Sequence, residues 1–382
     1  MRSRPLVYLT YGDVDSPVFT SQVIGFCQFL QEHMEIPTRV VAFVPLRLYF
    51  QQKELLKRYA MNIKVLPVVN RWQDRQWYSR LNAWLLARIE ADSVMTRNPV
   101  AVHLCMALQK RGWKFFYDAR GCHYKELEEF SDASPQTIQR MRTIEALSWK
   151  KADWVYAVSQ SLVDYFKNEN RYRDHNHSVV PCCHVPAEVL TTHSKESLFG
   201  NSEVKVFCYA GSLSVWNFPR SFVELTRKIL QHPENRLIIL SRQLDALESF
   251  PQFSSDRCIK RTVPSSEVSS YLSISDYGIL LRKKAVTNQV ASPSKFADYV
   301  ANGCKIIISP DIGDLSEMVQ QHDLGLVYRG KKDNDLITIL PPVTEEQREK
   351  AREFAQERLM RKSEFNRVKY RNLKMIHDGQ TN

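Results

Sequence analysis

The stretch 277–319, YGILLRKKAVTNQVASPSKFADYVANGCKIIISPDIGDLSEMV, decides the fold. It reads as strand, helix, strand and the start of a second helix. YGILL (277–281) and KIIIS (305–309) are short apolar runs, the pattern of strands buried on both faces. Between them Ser292 suits an N-cap and Pro293 the first helical position. Gly303 suits the C-terminal stop. Phe296 with Val300, and Ala297 with Ala301, are apolar pairs at the spacing of one helix face. Strand, crossover helix and strand make a parallel unit.

The same alternation extends both ways. Before the middle of the chain the strand-like runs are PLVYLT (5–10), RVVAFV (39–44), IKVLPVV (63–69), KFFYD (114–118) and WVYAVS (154–159). After it come KVFCYAG (205–211), RLIILS (236–241), YGILL, KIIIS and LGLVY (324–328), with helices in the gaps. A polar stretch, KNENRYRDHNHSVVPCCHVPAEVLTTHSKESLFGNSE, separates the two sets. The expected fold class is therefore α/β, with two Rossmann-like domains of parallel sheet facing a cleft. Their expected extents are 1–190 and 191–343. Residues 344–382 read as one long charged helix that docks back on the first domain. Thr344 and Gln347 give it a capping-box start, and Phe354, Ala355, Phe365, Val368 and Leu373 give it an apolar side.

Composition bounds the partners. Of 382 residues 43% are apolar and 25% charged, as in a globular protein. No apolar run reaches the ~20 residues of a membrane span, and Asp13 ends the first apolar stretch too early for a secretory signal. The expected location is the cytoplasm or the inner face of the plasma membrane. The eight cysteines show neither CxxC nor a disulfide spacing. A net charge of +11 favours anionic partners. No zinc finger, ribonucleoprotein motif or basic zipper occurs, so nucleic acid is not expected.

Ligands of open α/β sheets sit beyond the carboxyl ends of the strands, where helix N-termini attract phosphate. Two such places stand out. In YAGSLSVWNFPRSFVEL (209–225) a strand ends at Gly211 and Ser212, and Pro219 opens a helix. One glycine there is as well explained by an ordinary tight turn. In the opening stretch Ser294, Lys295 and Asp298 lie at a helix start, and Arg282 ends the strand before it. The ordinary reading of Lys295 and Asp298 is a surface ion pair worth ~0.3–0.5 kcal/mol. The sharper one sets Lys295 at a phosphate and Asp298 at a ribose diol.

These residues carry a resemblance. GILLR, then SPSKFADYVANGCKIIISPDIGDLSEMV, resembles the donor-binding region of GT-B glycosyltransferases, in particular family 4. Many members carry Glu, seven residues, then Glu, the second five before a glycine and bound to the donor ribose. Asp298 lies five before Gly303 and takes that place, while Val290 stands where the first Glu would be. GSLSVWN resembles the diphosphate loop. In the first half FFYDARG and KKADWVYAVSQSL resemble the acceptor-domain pattern, and TYGDVDSPVF its first loop. The resemblance implies transfer of a sugar from a nucleotide-sugar, UDP- or GDP-linked, to a glycan or lipid-linked acceptor, in the building of a bacterial surface polysaccharide. It implies retention of anomeric configuration and no metal or other cofactor. Arg282 and Lys295 would stabilise the departing diphosphate, and Arg120 stands where many relatives carry a His near the sugar. Asp118, Asp13 and Glu126 are lesser candidates, each better read as a loop or cap carboxylate. A nucleotide-sugar 2-epimerase of the same fold and a noncatalytic anion-binding protein are the alternatives.

Two further features have ordinary readings. His175, His177, Cys182, Cys183 and His184 cluster in sequence, but adjacent cysteines lack the spacing of zinc ligands, so the cluster reads as a strand end. In RWQDRQWYSRLNAWLLARI (71–89), Trp77, Leu81, Trp84, Leu85 and Arg88 share a helix face. That periodicity suits core packing, with peripheral contact to an anionic membrane as the functional alternative.

Overall fold

The apolar runs become the interior of two parallel sheets. The structure, a computed structural model, describes residues 4–12, 14, 16, 18–69, 75–173, 175–186, 192–213 and 220–379, without the side chain of Thr338. Asp13 and residues 214–219, with the helix start expected at Pro219, lie outside the described residues.

The first sheet holds β1 (Leu6–Tyr11), β2 (Thr38–Pro45), β3 (Ile63–Val68), β4 (Ser93–Thr96), β5 (Lys114–Ala119), β6 (Trp154–Ala157) and β7 (His177–Val179), in the order β3-β2-β1-β4-β5-β6-β7. The second holds β8 (Lys205–Ala210), β9 (Asn235–Leu240), β10 (Cys258–Arg261), β11 (Tyr277–Leu280), β12 (Lys305–Ile308) and β13 (Gly325–Val327), in the order β10-β9-β8-β11-β12-β13. Every described pairing is parallel, and all six residues of β1 are buried. Helices on both faces explain that burial. In β12 the alternation is plain: Ile306 and Ile308 pack with Phe296, Ala297 and Val300, whereas Ile307 packs with Phe222 and Leu225 on the other face. β4 and β10 were not read from the sequence. Each is short, and polar residues within or beside it (Asp92, Ser93, Arg97; Arg257, Lys260, Arg261) break the apolar run that makes β11 and β12 legible.

Strand order reverses between β1 and β4 and between β8 and β11. Loops diverge there and leave a crevice at the carboxyl ends.

The chain forms two compact units. One ends at Pro181 and regains the chain from Glu364, and the other spans Cys182–Ser363. The crossing at Pro181 falls inside the polar connecting stretch, ahead of residue 190. The tail is not one helix. Thr344 and Gln347 do form the capping box of the helix Glu345–Phe354. The helical run ends at Leu359, and two short helices, Glu364–Lys369 and Arg371–His377, follow a turn. The turn separates two destinations. Ala351, Ala355 and Leu359 pack in the core of the second unit. Tyr370, 1% exposed, packs in the first unit against Phe26, Phe29 and Tyr156 at ring separations of 5.5, 5.4 and 5.1 Å.

In the second unit a buried carboxylate, Asp276, fastens the tail helix to the sheet. It accepts from Arg348 Nη2 at 2.9 Å, Lys195 Nζ at 2.8 Å, Val206 N at 2.8 Å and Val343 N at 3.1 Å. Two cations and two amides satisfy it, as a buried charge requires.

The helix Gln76–Leu86 inverts the expected core packing of the tryptophan stripe. Its buried residues are Ser79, Asn82, Ala83 and Leu86. Trp77, Leu81 and Trp84 face solvent, 54%, 49% and 46% exposed. The Arg88 guanidinium lies 3.5 Å from the Trp84 ring centroid. No described helix is long and apolar enough to cross a membrane.

Candidate functional site

At the β8/β11 switch point, one helix sets the geometry. The helix Ser294–Ala301 follows β11 and packs on the sheet. Pro293, rather than Ser292, occupies its N-cap position, and the Ser292 hydroxyl accepts from Cys182 N at 3.1 Å. Tyr299 seats the helix. A Cβ on Gly278 would lie 2.4 Å from the Tyr299 ring, so only glycine lets the ring down onto β11. The Tyr299 hydroxyl accepts from Ala210 N at 2.9 Å and donates to the Ile279 carbonyl at 3.2 Å. It thereby ties the ends of β8 and β11 together.

One turn earlier, this seating delivers Lys295 to the end of β8. Its stem fills the space beside Gly211, where a Cβ would come within 2.3 Å of Lys295 Cε and 2.7 Å of Nζ. Gly211 also has φ +137°, a conformation side chains resist. The Gly211 amide already donates to the Leu240 carbonyl at 2.8 Å, so this glycine contributes space rather than a free N–H. Lys295 Nζ donates to the Tyr209 hydroxyl at 3.0 Å and sits 4.1 Å from the centroid of that ring. Among the described residues it has no carboxylate partner. Burial, with the Arg282 charge added, holds the Lys295 ammonium well below the ordinary lysine range.

Arg282 leaves β11 beside this lysine. Its backbone N donates to Ser309 Oγ at 2.8 Å, and its Nη1 to the amide oxygen of buried Asn288 at 3.0 Å. Asn288 is fixed in turn by the Lys283 carbonyl at 2.9 Å. Ser212 Oγ donates to Gln243 Oε1 at 2.9 Å, and Leu213 N to the same oxygen at 2.9 Å. Ser294 is exposed at the first turn of the helix. Gly211, Ser212, Arg282 and Lys295 thus gather at one crevice.

Lys295 and Asp298 do not pair with each other, contrary to the ordinary reading of their spacing. Lys295 turns to Tyr209, and Asp298 Oδ1 meets His184 Nδ1 at 2.7 Å. Their spacing could not reveal partners 86 and 114 positions away.

In the first unit Arg120 is held at the end of β5. Its Nε lies 2.8 Å from Asp118 Oδ1, with side chains 9% and 1% exposed. The Tyr8 hydroxyl donates to Asp118 Oδ2 at 2.7 Å. Burial, then the Asp118 charge, pushes the Tyr8 phenol well above its ordinary range, so it stays a donor. Asp118 is thus a buried anchor for Arg120. Glu126 is exposed in the first turn of the helix His123–Phe130. The carboxylate that organises this turn is the fully buried Glu145, which accepts from His123 N at 3.0 Å and Tyr124 N at 3.1 Å. Its Oε1 also lies 3.1 Å from His123 Nδ1. Burial disfavours the charged His123 ring, but Glu145 outweighs it and raises the histidine.

The histidine and cysteine cluster disperses. His177 Nδ1 faces the Tyr172 hydroxyl at 3.0 Å, Cys183 is buried, and His184 goes to Asp298.

No protein-family model matches this chain, and no curated protein matches it in sequence. Solved structures do match over its whole length. A sucrose-phosphate synthase from Thermosynechococcus elongatus is 11% identical with a TM-score of 0.68, covering 98% of both chains. Anabaena HepE in complex with UDP is 13% identical with a TM-score of 0.70, covering 97% of this chain and 99% of that one. A putative UDP-N-acetylglucosamine 2-epimerase from Listeria monocytogenes is 12% identical with a TM-score of 0.60, covering 100% and 98%. With its two parallel Rossmann-like sheets, the chain has the GT-B fold, which it shares with these structures.

Replacing Lys295 with Met keeps the apolar stem and removes the strained cation. Because folding lowers the Lys295 pKa, the unfolded chain holds more protons between the folded and unfolded values, and wild-type stability rises with pH there. Lys295→Met is therefore the more stable protein at neutral pH in urea denaturation. Its advantage shrinks as pH climbs toward the ordinary lysine value of about 10.4. A pH-independent difference would contradict the assignment.

Proposed function

We propose that this protein is a glycosyltransferase taking a UDP- or GDP-linked sugar at the β8/β11 crevice. The observation that carries this reading is the Lys295 ammonium. Among the described residues it has no carboxylate partner, and it lies beside Arg282 at the strand end where Gly211 makes room for its stem. A diphosphate supplies the missing negative charge. Arg282 and Lys295 receive it, Ser212 and the Ser294 helix start border it, and Asp298 faces the ribose diol. The sheet of Cys182–Ser363 is then the donor domain and that of the first unit the acceptor domain.

In the transfer, the bond from the anomeric carbon to the diphosphate oxygen breaks, and its electron pair leaves on the diphosphate. Lys295 and Arg282 take up that charge, as preorganised cations do in a water-poor site. An acceptor hydroxyl bonds to the anomeric carbon and gives its proton to the departing phosphate oxygen. Arg120, braced by Asp118, serves as a fixed cation that orients sugar or acceptor, since a guanidinium is no base at neutral pH. The retaining, metal-independent course and the polysaccharide role are carried over from the family resemblance. The solvent-facing tryptophan stripe supports a lipid-linked acceptor at the inner face of a membrane. From Arg75 to Arg88 the chain carries Arg75, Arg80 and Arg88 and no acidic residue, a match for anionic headgroups. A second reading, epimerisation of a nucleotide-sugar, is favoured by the similarity to the Listeria structure.

A thermal-shift screen with UDP, GDP, CMP, ADP and dTDP tests the donor site, since a ligand of the folded state raises stability by mass action. UDP or GDP stabilises wild type, and Lys295→Met weakens that binding about tenfold or more. If no nucleotide stabilises the protein, the donor-site reading fails. Product analysis of a UDP-sugar incubated without acceptor separates the two activities, because an epimer would favour the second. Cosedimentation tests the membrane surface: wild type binds phosphatidylglycerol vesicles in a salt-sensitive way, and a Trp77→Ser, Trp84→Ser double variant does not. Equal binding by the double variant would contradict the proposal.

A further inference from the structure

We infer that His184 is the positioning residue for Asp298 and sets the preference of the nucleotide site for a ribose diol. This rests on the donor-site reading above.

The imidazole is placed by its own backbone. His184 N donates to the Leu359 carbonyl at 2.8 Å, and His184 forms an isolated parallel bridge with Met360. Two residues earlier, Cys182 N donates to Ser292 Oγ at 3.1 Å, just before the helix that carries Asp298. Cys183 between them is 2% exposed. The segment 182–184 is thus fastened on both sides, and the His184 side chain is 10% exposed.

Asp298 is the contrasting partner. Its neighbours Ala297 and Tyr299 are fully buried, while its own side chain is 39% exposed. Nδ1 of His184 lies 2.7 Å from Oδ1. To donate to a carboxylate, Nδ1 must carry a proton, a condition met by the Nδ1–H tautomer and by the imidazolium alike. The bond fixes the rotation of the carboxylate. It uses one lone pair of Oδ1 and leaves Oδ2 and the second lone pair of Oδ1 for two adjacent hydroxyl donors. A preset carboxylate spares the ligand the cost of ordering it. Without His184, Asp298 loses this restraint, and the benefit of the second hydroxyl falls.

Calorimetric titration with UDP, GDP and their 2′-deoxy counterparts reads this directly. Wild type prefers the ribose form. His184→Ala weakens ribonucleotide binding about threefold to tenfold and leaves the 2′-deoxy form nearly unchanged, so the preference shrinks. His184→Asn, whose amide nitrogen stands near the Nδ1 position, retains the preference. A purely structural role would instead weaken both ligands in parallel. An unchanged preference in His184→Ala overturns the inference while leaving the donor site intact. If wild type binds the diphosphates with no hydroxyl preference, the Asp298 assignment falls and the inference falls with it. If wild type binds none of them, the donor-site reading itself fails. Urea midpoints matching wild type show that the variants compared are folded.

Discussion

A buried lysine with no counter-carboxylate among the described residues is the constraint around which this end of the second unit is organised. The Tyr209 ring and hydroxyl give Lys295 something back, and a cation–π contact contributes about 0.5–2 kcal/mol. Removing an ion from water costs several kcal/mol, and the neighbouring guanidinium adds repulsion. The balance disfavours the charged form of Lys295. Glycine at 211 and glycine at 278 follow from the same demand. One makes room for the lysine stem, and the other lets Tyr299 sink until the helix brings that lysine to the strand end. Asp276 shows the opposite solution elsewhere in the unit, where a buried charge is fully met by protein groups.

The chain leaves the second unit's span at Pro181/Cys182 and again at Ser363/Glu364. Within that unit, the segments just inside both crossings meet at the bridge between His184 and Met360. Asp298 adjoins the same bridge through His184.

Long apolar strands were legible because burial on both faces leaves an unbroken run, as in LVYLTY and KVFCYA. SVMT and CIKR were not, since polar residues within or beside them leave no unbroken apolar run. Gly211, Arg282, Lys295 and Asp298 stood out because each breaks an apolar context at a strand or helix end. Their partners did not. Tyr209 reads as one more aromatic in a strand, and His184 sat in a histidine and cysteine cluster whose spacing read as a strand end. The tryptophan stripe shows the limit of periodicity. It located a face at 77–88 without saying that Ser79, Asn82 and Ala83 would take the buried side.

The most direct measurement is an NMR titration of the Lys295 side chain, assigned by its loss in Lys295→Met, without and with UDP or GDP. The account predicts an ammonium that titrates well below the ordinary lysine range in the free protein and moves upward when the diphosphate binds. An ordinary pKa that is indifferent to nucleotide would contradict it.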